Sequence, residues 1–265
     1  MKVIFFKGGL GNQMFQYVFY QFIKNKTTGN IYGHYDNASL NHNGLIIDKC
    51  FKDILLPKSN FVSNIIVYLY KIKNKIFNFN KPRVDKYLEK SIILDGYWQD
   101  IKYFTSQTQN LFEFHVQLNK QNTDTLALID SSNSISVHIR RGDYLKYSSI
   151  YGNICTNEYY IKALDIIKKK VSNPVFIFFS DDIEWVKNEF KMDNAVYVGF
   201  NSLEDSYLDM YLMSCCKHNI ISNSTFGWWG AYLNTNVDKI VICPKKWLNV
   251  EINNINIILD NWIKI

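Results

Sequence analysis

From residue 134 to residue 244 the chain alternates between short apolar runs that read as strands and longer amphipathic runs that read as helices. The strands are SISVHI (134–139), VFIFFS (175–180), AVYVGF (195–200), HNIIS (218–222) and KIVICP (239–244). Between them lie the helices NEYYIKALDIIKKK (157–170), DIEWVKNEF (182–190), LEDSYLDMYLMSCC (203–216) and TFGWWGAYLN (225–234). This alternation implies parallel pairing, because each helix returns the chain to the edge of the sheet where the previous strand began. A doubly wound α/β sheet follows, and in such sheets ligands sit beyond the carboxyl ends of the strands. Arg140, Arg141, Asp181, Asp182, Asn223 and Ser224 all fall at those ends.

The N-terminal half starts the same way, with the strand KVIFF, the glycine turn KGGLGN and a helix from about Gln13 to Lys24. After that the signals thin, and ILDGYW (93–98) and NLFEFHV (110–116) fit strands or short helices equally. The expected division is an N-terminal domain over 1–120 and a nucleotide-type domain over 121–265. In Ile65 to Phe77, Ile65, Leu69, Ile72 and Ile76 recur at helical spacing, with Lys71, Lys73 and Lys75 toward one end. That run fits a helix lying on a membrane surface or a core helix with a solvated edge, which is the commoner use of an amphipathic helix. No stretch approaches the ~20 apolar residues of a membrane span, and Met1 to Phe6 run into glycines too soon for a signal peptide. Five cysteines without CxxC spacing argue against a zinc site or a disulfide framework. A cytoplasmic protein is expected, with peripheral contact through 65–77 at the inner face of the membrane as an option. The net charge of +6 suits an anionic ligand or an anionic membrane surface, but it forms no basic stripe of the kind nucleic acid requires.

Four motifs carry candidate chemistry. Adjacent guanidiniums at the tip of SVHIRRGDY suit a phosphate gripped by parallel hydrogen bonds; two surface arginines after a core strand are the plain alternative. His138 shares a strand face with Arg140, as a donor to a ligand or as a buried histidine. Asp143 is expected to pair with an arginine and fix its fork, which makes it a poor base. Gly8 to Gln13 follows a strand and opens a helix, where Gly9 and Gly11 let backbone approach a ligand. It lacks both the third glycine of a dinucleotide fingerprint and the GK[ST] of a P-loop. Asn12 reads as a ligand contact or as a helix cap. The run Asp181-Asp182 has two readings, helix N-capping, with Asp182 near the first turn, and acceptance from a guanine edge; without an intervening residue the pair does not make a metal-binding DxD. Ser222, Asn223, Ser224 and Thr225 combine hydroxyls with a helix start, a phosphate cradle, or an N-cap ahead of two core tryptophans.

Together GGLGNQMFQY (8–17), GYWQDIKYF (96–104), SVHIRRGDY (136–144), FSDD (179–182) and SNSTFGWWGAYL (222–233) resemble, in order, the bacterial α-1,2-fucosyltransferases of glycosyltransferase family 11. The resemblance implies a GT-B fold, with two Rossmann-like domains facing across a cleft. It implies GDP-fucose as co-substrate on the C-terminal domain, no metal and no other cofactor. Arg140 would hold the β-phosphate with Arg141 in support. His138, Asp181 and Asp182 would lie near the nucleotide, and Ser222 to Thr225 would touch the diphosphate. Gly9 and Gly11 would bind GDP-fucose, and Asn12 would face the reacting centre. Tyr97, Trp98 and Gln99 would meet the acceptor, a galactoside glycan, free or lipid-linked; Trp98 stands where a smaller aromatic is expected. The proton acceptor stays open between Asp143, Asn12 acting through water, and another residue. The competing expectations are a related transferase with another linkage or acceptor, and a catalytically silent nucleotide- or glycan-binding protein.

Overall fold

The computed structural model describes residues 1–35, 44–77, 90–250 and 255–265, with backbone alone for 76 and 77. The chain divides into two compact units, Met1–Glu113 and Phe114–Ile265.

The first unit contains β1 (Lys2–Phe6), α1 (Leu10–Lys24), β2 (Ile31–Tyr35), α2 (Ile47–Cys50), α3 (Phe61–Phe77) and β3 (Ile93–Leu94). Its sheet runs β2-β1-β3, all parallel, with Val3 opposite both Tyr32 and Ile93. Every residue of β1 is buried, as a central strand covered on both faces must be. The turn after β1 needs glycine at Gly8, whose φ is +78° and where a Cβ would lie 2.6 Å from the Asn12 amide nitrogen. Two buried glutamines of α1 pin that turn. Gln16 accepts from the Lys7 N–H at 2.9 Å and donates to its carbonyl at 3.1 Å. Gln13 donates to the Gly8 carbonyl and accepts from Ile46 N–H.

Helix α3 packs on the sheet as the core-helix reading expects, but through the face opposite Ile65, Leu69 and Ile72. Its inward face is Ser63 and Val67, with Ile66 and Tyr70 packed beside Val3 and Phe5 of β1. Ile65, Leu69 and Ile72 point outward and are exposed; the Ile76 side chain lies outside those described. Among the described residues no helix is long and apolar enough to cross a membrane.

The second unit contains α4 (Lys120–Ser131), β4 (Asn133–Ile139), α5 (Gly142–Lys146), α6 (Ser148–Tyr151), α7 (Asn157–Lys170), β5 (Pro174–Ser180), α8 (Ile183–Glu189) and β6 (Ala195–Val198). It continues through α9 (Tyr207–Cys215), β7 (His218–Ile220), α10 (Thr225–Leu233), β8 (Val241–Cys243) and β9 (Ile263–Lys264). All six strands are parallel, in the order β6-β5-β4-β7-β8-β9. From β4 the chain builds outward to β5 and β6, then returns to place β7 on the other flank of β4. The topological switch therefore lies between β4 and β7, where open α/β sheets bind their ligands.

Strand β4 explains how both sheet faces are covered. Ile135, Val137 and Ile139 pack with Tyr159, Tyr160, Ala163, Leu164 and Ile167 of α7. Ser134, Ser136 and His138 alternate onto the other face, all buried. There Ser136 accepts from Asn219 at 2.7 Å, and Asn219 in turn accepts from Asn234 at 2.8 Å. Two tyrosines of α7 reach the strand tips: Tyr159 donates to the Ile221 carbonyl at 2.6 Å and Tyr160 to the His138 carbonyl at 3.3 Å. Tyr159→Phe strands a buried carbonyl, so we expect a loss of about 1–2 kcal/mol. In a chain of this size that is a fall in Tm of about 2–8 °C by scanning calorimetry, with Tyr160→Phe, whose bond is longer, losing less.

Candidate functional site

Parallel register sets the strand tips side by side. Ile139 is level with Ser180 on β5 and Val137 with Ile220 on β7. Carried one step beyond the pairing, Arg140 stands between Asp181 on one flank and the Ser222–Thr225 turn on the other. Because successive strand residues point to opposite faces, the two arginines part company. Arg140 follows His138 toward the α10 face, and Arg141 turns to α8.

Arg140 is held as a fork. Its Nε donates to Asp143 Oδ1 at 3.0 Å and its Nη2 to the same oxygen at 2.9 Å, while Nη1 lies 3.3 Å from Asp181 Oδ2. The Arg140 guanidinium carbon sits 5.9 Å from the Tyr144 ring centre. Tyr144 stacks on Tyr151 at 4.4 Å and donates to the Asn223 carbonyl at 2.9 Å, and the Ser224 hydroxyl bonds the same phenol. This tyrosine links the β4 tip to the start of α10. Burial raises its hydroxyl well above the usual tyrosine range, so it remains a neutral donor.

Arg141 is used differently. Its guanidinium lies 3.6 Å over the Trp185 ring and its Nε donates to Asp182 Oδ2 at 3.1 Å. Asp182 also caps α8 by accepting from Trp185 N–H, and Asp181 accepts from the Arg141 N–H at 2.9 Å. Of the two aspartates, the helix-capping one is thus Asp182. Two guanidiniums face three carboxylates, Asp143, Asp181 and Asp182, so the cluster carries one net negative charge. Any affinity for an anion must come from the aim of the Arg140 fork and from the N–H groups at the start of α10.

Asp143 keeps its expected contact: its Oδ1 takes two nitrogens of Arg140, the pairing that fixes the fork. Several other expected contacts change character. Ser222 and Asn223 are buried. Ser222 Oγ is 2.9 Å from His138 Nδ1, and Asn223 donates to the carbonyls of Trp247 and Tyr151. Their side chains brace the turn and do not line its surface, leaving Thr225 and the backbone as the presented groups. His138 is buried beneath Gly227, and burial, helped by the Arg140 charge, lowers its pKa to about 3. A neutral imidazole under the helix start sets its position and is no phosphate-binding cation.

In the first unit Asn12 is the third residue of α1, whose N-cap is Gly9 with no side-chain cap. The capping role for Asn12 is therefore replaced by a contact with another expected residue: Gln99 donates to Asn12 Oδ1 at 2.9 Å. Gly11 is buried in the first helical turn. Tyr97 is 45% exposed, with the Lys7 ammonium 5.0 Å from its ring centre. Trp98 departs from expectation. It has φ +56°, is buried, and stacks on Phe19 at 3.7 Å, so its ring fills the core and cannot present a face to an acceptor.

Trp185, Tyr144 and the Lys7–Asp95 ion pair, in which Tyr70 also donates to Asp95, escaped the sequence reading. A lone charge directly after an apolar strand, as in KVIFF-Lys7 and IIL-Asp95, was the available signal for the last. Beyond β6, Asn201 bridges Asn122 and Asp209, whose buried carboxyl is pushed up to about 7. Among the described residues no three His, Cys, Asp or Glu side chains converge as a metal site requires.

Three comparisons bear on this arrangement. The family model described as Glycosyl transferase family 11 matches residues 1–265. An alpha-1,2-colitosyltransferase of Escherichia coli is 34% identical over 97% of this chain and 96% of its own length. A galactoside alpha-(1,2)-fucosyltransferase 1 of Lagothrix lagotricha is 27% identical over 51% of this chain and 40% of its own. Among solved structures, NodZ alpha-1,6-fucosyltransferase soaked with GDP-fucose superposes with a TM-score of 0.52 at 14% identity, over 86% of this chain and 90% of that one. That likeness speaks for the fold, two Rossmann-like units of GT-B type.

Proposed function

This chain belongs to glycosyl transferase family 11, and from that premise we propose that it moves L-fucose from GDP-β-L-fucose to the 2-hydroxyl of a terminal galactoside in a surface polysaccharide or oligosaccharide. The observation that carries the reading is the Arg140 fork beside the start of α10 at the β4/β7 switch point. A β-linked donor and an α-linked product require inversion. The acceptor oxygen forms its bond to C1 as the bond from C1 to the diphosphate oxygen breaks on the opposite face. The hydroxyl proton leaves through water beside Asn12, the route that remains once Asp143 is tied to Arg140. Charge collects on the leaving diphosphate, and Arg140 with the Thr225 end of α10 is aimed to receive it. A preorganised donor of this kind lowers the barrier by about 3 kcal/mol. Arg141, locked to Trp185 and Asp182, supports the loop and leaves the phosphate to Arg140. We assign the acceptor to Tyr97, Gln99 and Asn12.

The α-1,2 linkage appears in the names of both relatives, while their donors differ. Colitose is L-fucose without its 3-hydroxyl, so the second reading is the same transfer from GDP-colitose. The test is to incubate the full chain with each donor and lactose, follow GDP release, and assign the product by NMR. A 2-fucosyl product supports the proposal. GDP-colitose turning over in preference moves the donor assignment, and no GDP release from either donor with any β-galactoside overturns the transferase reading.

A further inference from the structure

The outward face of α3 has no use in the chemistry above. Phe61, Val62, Ile65, Tyr68, Leu69 and Ile72 are all exposed, Phe61 at 79% and Tyr68 at 66%. At about 100° per residue they fall within roughly 120° of arc, a continuous apolar stripe opposite the face that packs on β1. The flanks of this stripe are basic. On the same wheel Lys71 and Lys75 border one edge and Lys73 the other, and α3 contains no carboxylate. Scattered exposed apolar residues need no explanation, but a stripe of six on one helix marks an interaction surface.

We propose that this face of α3 docks the protein onto an anionic lipid bilayer, the helix lying in the plane of the interface. Charge chooses the occupant. A second copy of the chain would set like-charged lysine borders against each other, whereas anionic headgroups complement them and leave acyl chains to cover the apolar stripe. Seventeen residues span about 26 Å as a helix, short of the ~30 Å hydrocarbon layer, and the inner face is already bound to β1, so α3 rests on the membrane without crossing it. Lysine stems flanking the stripe can lie along it while their ammonium groups reach the headgroups. This inference does not depend on which sugar is transferred.

The full chain is mixed with vesicles of phosphatidylglycerol and phosphatidylethanolamine, or of phosphatidylcholine alone, and floated on a sucrose gradient. Flotation is expected with the anionic vesicles, much weaker with the neutral ones, and reduced at 1 M salt, where screening shortens to about 3 Å. Leu69→Glu with Ile72→Glu should weaken binding at least tenfold, and each lysine of Lys71, Lys73 and Lys75 changed to Ala about fivefold. Unchanged thermal melts confirm that these surface variants stay folded. Absence of flotation, flotation indifferent to lipid charge, or flotation unaffected by the variants overturns the proposal. So does a dimer in sedimentation velocity that Leu69→Glu dissociates, since the face would then belong to a second copy.

Discussion

Arg140→Ala is expected to lower transfer by about 10²- to 10³-fold, the usual cost of one preorganised donor to developing negative charge, while the fold survives. The bonds lost in the folded state run to Asp143 and Asp181, both partly exposed, and such pairs contribute at most about 1 kcal/mol. Tm should fall by only a few degrees, and GDP should still stabilise the variant, though less. One complication has a clean control. Removing the guanidinium strands two carboxylates near the leaving group, and their repulsion alone would slow the reaction. Arg140→Ala combined with Asp143→Asn removes one of those charges. If Arg140 acts on the diphosphate, the double variant stays as slow as the single one; if it only neutralises Asp143, activity returns. Arg140→Lys keeps the charge and loses the fork, so an intermediate rate is expected. Near-normal turnover in Arg140→Ala would remove the foundation of the proposed mechanism.

The C-terminal unit was legible because its strands and helices differ in period as well as composition. The helix 157–170 matches α7 residue for residue, and SISVHI differs from β4 only at its first residue. The Arg140–Asp143 pair was legible too, since three residues in sequence become one turn in space. Other features depend on the fold. Trp185 reads as a core residue of a short helix until β4 and β5 are aligned, which brings Arg141 over its ring. Strand β2, IYGHY, carries a glycine and mixed polarity, and β3 and β9 are two residues each, too short for any periodic signal. Helix α3 shows why periodicity finds a helix but does not orient it. Both of its faces are apolar, and only the neighbours of β1 decide that Val67 turns inward and Leu69 outward. His138 and Ser222 were singled out in the sequence as ligand contacts, but their burial beneath the start of α10 was not legible, since burial depth is set by how closely α10 approaches β4.

That approach makes Gly227→Ala the second large effect. Gly227 is helical, so intrinsic propensity favours alanine by about 1 kcal/mol, and on a free helix the substitution would stabilise. Here the added Cβ would lie 2.5 Å from His138 Nδ1 and 2.9 Å from its Cγ. Neither atom is the end of a flexible chain: the imidazole rises from the central strand and is tied to Ser222 at 2.9 Å. Helix α10 must therefore ride outward, or His138 must release Ser222 and turn. Overpacking of this kind costs about 1–3 kcal/mol, which exceeds the propensity gain over most of that range, so a lower Tm is expected. Transfer should fall further than the loss of stability accounts for, because the helix start proposed to receive the diphosphate moves relative to Arg140. In steady-state kinetics the expected signature is a loss in kcat larger than any rise in KM for the acceptor. His138→Ala opens the space, so in the double variant Tm should recover part of the loss, a coupling between residues 89 positions apart that only direct contact produces. If Gly227→Ala melts higher than the wild type and transfers at the same rate, α10 does not owe its position to His138, and the helix start cannot be the preorganised partner of Arg140.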